Sequence, residues 1–109
     1  MFIAMNRFQV APGREDEFER RWRERQSYLD AVPGFAQFAL LRGDQVGEYI
    51  SHTVWQNRAA FEAWTRSEAF VAGHRQGSVA GILAGHPQIS LYEAVLVERG
   101  AQRPADSVA

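Results

Sequence analysis

An imidazole at His74, a carboxamide at Asn6 and the indoles of Trp22 and Trp64 are the side chains whose setting in this sequence asks for a chemical reason. In the stretch FEAWTRSEAFVAGHRQ, residues 61–76, Phe70 and Val71 precede His74 by four and three positions, so on a helix all three share one stripe. A titratable ring there is either a satisfied core or boundary histidine, the ordinary case, or a ligand. Asn6 lies in the alternating run FIAMNRFQV, on the face that also carries Phe2, Ala4, Phe8 and Val10. It should therefore project into a layer where Phe18, Trp22, Trp64, Phe70 and His74 converge. A buried amide needs hydrogen-bond partners, and two nitrogen-bearing groups aimed into one aromatic layer strain a purely architectural reading. The two tryptophans are ordinary core residues at helical spacing, yet each indole N–H still needs an acceptor. Gly73, just before His74, costs about 1 kcal/mol against Ala inside a helix. That fits a fraying helix end, or close approach of something flat to the backbone.

Other chemistries find little support. The histidines stand at 52, 74 and 86 with no H-x-x-x-H pair, and there is no cysteine, which argues against zinc sites, iron–sulfur clusters, disulfides and thiol nucleophiles. His52, in a strand, and His86, before a proline, read as surface or boundary residues. No G-x-S-x-G, P-loop or G-x-G-x-x-G occurs, so nucleophilic hydrolysis and nucleotide binding lack their usual signatures. The formal net charge is −1 and the 12 basic residues, all arginine, are spread along the chain, which leaves no footprint for nucleic acid or an anionic membrane. The start has no basic region followed by a long apolar run, and no stretch approaches the length of a membrane span, so a cytoplasmic protein is expected.

The elements that must position these residues follow from periodicity. FIAMNRFQV is a strand with one apolar face. After Pro12-Gly13, the acids Glu15, Asp16 and Glu17 open an amphipathic helix of about 16 residues on which Phe18, Trp22, Leu29 and Val32 are apolar. Its Glu17/Arg21, Glu19/Arg23 and Arg20/Glu24 pairs read as a solvated face. Residues 35–42 and 46–56 are strands two and three, forming a hairpin about Gly43-Asp44. Asn57 and Ser67 can each cap a short helix, and residues 89–98 make the last strand. The order β-α-β-β-α-β is the ferredoxin-like arrangement, an α+β fold with helices on one face of an antiparallel sheet. A chain of 109 residues, 46% hydrophobic, suits one domain over 1–99, followed by a polar tail at 100–109. The open sheet face, where Ile3 and Met5 stand, is expected to be covered by a second copy in a homodimer.

AMNRF at 4–8, TVWQNRAAFEAWTRSEAF at 53–70 and AGHRQ at 72–76 resemble the IsdG-type haem-degrading monooxygenases, within the antibiotic biosynthesis monooxygenase superfamily. Asn6, Trp64 and His74 match that family's functional residues in type, order and the ten-residue interval from Trp to His. The resemblance implies a dimeric α/β barrel with haem as both cofactor and substrate. His74 would be the iron ligand. Asn6, on the opposite side, would donate a hydrogen bond to the oxygen species, and Trp64 would press the macrocycle out of plane. Trp22 and Phe70 would line the slot, with Arg75 or Arg23 pairing with the propionates. With O₂ and electrons from a separate reductase, the ring opens to a bilin, biliverdin or a related product, and iron is released. Two alternatives share these residues. One is a cofactor-independent monooxygenase of a polycyclic phenol or quinol, with His74 as base and Asn6 positioning oxygen. The other is a non-catalytic haem-binding dimer.

Overall fold

The computed structural model describes residues 1–76 and 80–101, with side chains over 1–72 and 81–101. Four antiparallel strands form one sheet in the order β2-β3-β1-β4: β1 (Phe2–Gln9), β2 (Phe35–Arg42), β3 (Glu48–Trp55) and β4 (Gln88–Glu93). Three helices, α1 (Glu15–Glu24), α2 (Arg58–Thr65) and α3 (Glu68–Gln76), complete the ferredoxin-like order. No helix among the described residues is long and apolar enough to cross a membrane.

The period of two in β1 is realised as expected. Phe2, Ala4, Phe8 and Val10 are buried against the helices, and β1 pairs with β3 on one side and β4 on the other. Asn57 caps α2 through its Oδ1, which accepts from the Ala60 N–H at 2.8 Å, and Ser67 Oγ accepts from the Phe70 N–H at 3.2 Å. Two capped starts ten residues apart are why the region folds as two short helices rather than one.

Three boundaries differ from expectation. α1 is a helix of 10 residues, because Arg25 turns extended at φ −69°, ψ 150°. Leu29 still reaches the core, from a 3₁₀ turn at Leu29–Ala31, so its spacing from Trp22 records burial but not helix. β3 starts at Glu48, since a loop with Gly47 at φ 83° occupies the residues before it. β4 ends at Glu93, five residues short of 98, where its pairing with β1 gives way to a single backbone bond from the Ala94 N–H to the Met1 carbonyl. Beyond that, Val95 and Leu96 are 94% and 78% exposed. The polar tail expected at 100–109 falls outside the described residues from 102 onward.

The core is two clusters, not one converging layer. Phe2, Ala4, Leu29, Trp55 and Phe61 form the first, with Phe38 and Trp64 packed against it. Phe8, Val10, Phe18, Tyr49 and Ile82 form the second, with Trp22 and Leu40 against it. Ile82 comes from a 3₁₀ turn at Ala80–Ile82; bonds from the Ala11 N–H to the Ile82 carbonyl and from the Ala84 N–H to the Gln9 carbonyl tie it to the end of β1.

Candidate functional site between the two core clusters

Strand register fixes what lies between the clusters. Leu40 pairs with Ser51, Ser51 with Asn6, and Asn6 with Ile89, so these four form one row across the helix-facing side of the sheet. The flanking rows, Phe38–Thr53–Ala4–Leu91 and Arg42–Tyr49–Phe8, belong to the first and second clusters respectively. Only the middle row lacks a fully buried side chain: Leu40, Ser51 and Asn6 are half-buried and Ile89 is 65% exposed. The Asn6 carboxamide has no hydrogen-bond partner among the described residues. Backbone pairing holds its strand on both sides, so the amide is a donor and acceptor anchored at a fixed Cα on an incompletely roofed floor.

Aromatic walls stand at the two ends of that floor. On the first cluster, Trp64 packs on Trp55 at 5.2 Å and meets Phe70 edge-on at 4.8 Å, which joins α2 to α3. Trp55 cannot move to accommodate them, being fully buried with its Nε1 donating to Thr53 Oγ1 at 2.9 Å. On the second cluster, Trp22 meets Phe8 and Phe18 edge-on and stacks on Phe38 at 5.5 Å. The Trp22 Nε1 is buried and makes no hydrogen bond among the described residues. Such a group is a cost unless an acceptor arrives.

Of the residues expected in the site, Asn6, Trp22, Trp64 and Phe70 thus take places on the helix side of the sheet, Asn6 between clusters and the aromatics at their edges. His74 and Arg75 lie on α3, two turns or less beyond Phe70; their side chains are outside those described. Arg23 bonds Glu19 through Nη2 at 3.1 Å, with most of its side chain exposed.

The structure adds residues that sequence reading passed over. Glu19, expected on a solvated face, is 9% exposed. Its carboxylate accepts from the Tyr49 hydroxyl at 2.5 Å, from Arg42 Nε and Nη2 at 2.9 Å each, and from Arg23. The Tyr49 hydroxyl and the Arg42 guanidinium hold this carboxyl below the ordinary carboxylate range against the opposing effect of burial. Burial and the bond to Glu19 push the Tyr49 phenol up. The sequence signal was position: Glu19 is three residues before Trp22 and so shares its face. Arg25 is the second addition. Its guanidinium lies 4.8 Å over the Trp22 ring and 4.7 Å over Phe38, half-buried, with no carboxylate partner among the described residues. Burial lowers its pKa, although an arginine keeps its charge.

Comparison with known proteins gives this geometry a setting. The antibiotic biosynthesis monooxygenase family model matches residues 1–76. A mycobilin-producing heme oxygenase of Mycobacterium tuberculosis is 36% identical over 81 residues, 72% of this chain and 77% of its own. The structure of the heme degrader MhuD from the same organism, with two hemes in its active site, superposes with a TM-score of 0.74 at 27% identity, covering 91% of this chain and all of that one. SnoaB of Streptomyces nogalater, a cofactor-independent oxygenase, shares the fold with a TM-score of 0.69 at 24% identity, over 88% of this chain and 94% of its own.

Proposed function

The chain belongs to the antibiotic biosynthesis monooxygenase family, and from that premise we propose that it is a haem-degrading monooxygenase that opens the porphyrin to a bilin and releases iron. The observation that carries the reading is the half-buried Asn6 carboxamide, unpartnered among the described residues, on the open row between two packed clusters. The similarity to haem-degrading relatives supports the same reading.

The residues present fit haem. The floor and end walls are apolar and aromatic, matching a flat hydrophobic ring, and an unpaired amide stands where a polar atom must be met. When bound, haem supplies the iron that takes up O₂ and the ring that is oxidised, with electrons delivered by a separate reductase. His74, on α3, would hold the iron through a neutral ring nitrogen. Asn6, on the sheet, would offer its N–H as a hydrogen-bond donor to an oxygen atom in the cleft and so orient it. Trp64, packed on Trp55 behind it, would present its indole as a fixed wall against the ring. Trp22 and Phe70 line the slot and exclude water, which strengthens the hydrogen bond from Asn6. Of the two arginines expected at the propionates, Arg75 has the role here, because it shares α3 with His74 while Arg23 is held by Glu19. The working unit is a homodimer in which a second copy covers the open sheet face.

Hemin titration of the purified protein tests the proposal. A sharp Soret band that is lost in His74→Ala, and that bleaches with reductant and O₂ in the presence of catalase while a bilin appears by mass spectrometry, is the expected result. Absence of any band points to the cofactor-independent reaction, and a band stable under turnover conditions points to a carrier.

A further inference from the structure

The row that crosses the helix-facing side of the sheet between the two core clusters runs Leu40, Ser51, Asn6, Ile89. Two polar residues stand side by side in its middle, with an aliphatic residue at each end. Ser51 belongs to β3, whose helix-facing side alternates Tyr49, Ser51, Thr53 and Trp55. The other polar groups on that side are committed to the fold. The Tyr49 hydroxyl donates to Glu19 Oε2, while Thr53 Oγ1 donates to the Ala4 carbonyl at 3.3 Å and accepts from Trp55 Nε1 at 2.9 Å. The Ser51 hydroxyl, half-buried like the Asn6 amide, has no hydrogen-bond partner among the described residues. It is the polar group of β3 that the fold leaves unused.

Asn6 and Ser51 are direct partners across antiparallel strands, and such pairing brings the two Cβ atoms to about 4.5–5.5 Å. From that separation a serine hydroxyl and an asparagine amide can both reach one atom lying above and between them at hydrogen-bond distance. The hydroxyl turns about its C–O bond and so follows the point that the amide sets. A single donor on an apolar floor fixes a distance, whereas two adjacent donors fix a position. A residue needed at 51 only for small size would be served as well by alanine, with no hydroxyl to desolvate.

We propose that Ser51 is a second donor of the cleft floor, its hydroxyl and the Asn6 Nδ2–H converging on one acceptor atom of the bound ligand. This rests on the haem reading, in which the acceptor is an oxygen atom in the cleft. Fluoride, a compact acceptor that binds ferric haem and responds to nearby hydrogen-bond donors, is the probe. It is titrated into the hemin-loaded full chain and followed by absorbance, with no turnover involved. Ser51→Thr keeps the hydroxyl and Ser51→Val removes it at nearly the same shape, and both β-branched residues suit a strand. Fluoride is expected to bind about tenfold or more weakly in Ser51→Val, and within about threefold of wild type in Ser51→Thr, with hemin affinity unchanged in both. Ser51→Ala, the smaller change, is expected to match Ser51→Val and stands in for it if the larger side chain disturbs hemin binding. Fluoride binding that is unchanged without the hydroxyl, or equally weakened in the Thr and Val variants, would overturn the proposal and leave haem binding intact. A chain that forms no hemin complex would overturn the reading beneath it, and this inference with it.

Discussion

At the scale of single residues, Asn6 is the polar group that the packing leaves open. Period-two alternation put its side chain on the helix side of the sheet, and that placement holds, yet only the packed molecule reveals an amide with no partner among the described residues. If the amide serves the reaction rather than the fold, Asn6→Ala should bind hemin with unchanged affinity and lose turnover by about 10²-fold, the usual scale for removing one oriented donor. Single-turnover bleaching against a hemin titration separates the two quantities. Turnover near wild type would remove Asn6 from the mechanism. Trp64 makes a different prediction, because Trp55 behind it fixes its position. Trp64→Phe should retain haem with a flatter macrocycle, read from weaker out-of-plane modes in resonance Raman spectra; unchanged modes would leave the indole no distorting role.

At the scale of elements, the attachment of α1 to the β2–β3 hairpin rests on Glu19, which charge patterning assigned to solvent. An i,i+4 pair with Arg23 is satisfied equally well on an open helix face or at a buried boundary, and only the arrival of Tyr49 and Arg42 from the sheet decides between them. The sign of its pH effect follows. The folded carboxyl titrates below its ordinary value of 4.5, held there by Tyr49 and Arg42. Its contribution to stability is therefore complete above pH 4.5 and lost as pH falls through the lower folded value. Glu19→Gln should cost about 1–3 kcal/mol at neutral pH, and the gap to wild type should close in acid, as followed by urea unfolding at a series of pH values. A constant gap down to pH 3 would mean that the charge is not what matters. Gly34 makes a simpler test of how β2 enters the sheet. It has φ 81°, and a Cβ there would collide with Ala60 Cβ of α2. Gly34→Ala should destabilise by about 1–3 kcal/mol, measured as a lowered Tm, and a Tm within error of wild type would show that the turn relaxes freely.

At the scale of the whole molecule, the sheet has two apolar faces and helices cover one. Ile3, Met5, Ile50 and Val54 are half-buried on the other, and Leu41 and Tyr92 beside them are 43% and 51% exposed. Exposed apolar area of this kind is characteristic of an interface. The proposed homodimer predicts a mass twice that of the chain in sedimentation equilibrium at micromolar concentration. Met5→Arg, in the middle of that face and paired with His52, should shift the population to monomer without unfolding it. A wild-type protein that sediments as a monomer would refute the dimer and leave the reading of Asn6 untouched.

The sequence by itself determined the element order, the two helix caps and which face of β1 meets the helices, because each depends on local periodicity or on hydrogen bonds between near neighbours. It also carried the family, through residues 4–8, 53–70 and 72–76. The tertiary structure alone decided that α1 stops at Glu24, that β4 stops at Glu93, and that Glu19 is buried. It also decided that the aromatics divide into two clusters with Asn6 between them. Those outcomes depend on strand register and on residues far apart in the chain competing for the same space, and no window along the sequence contains that competition.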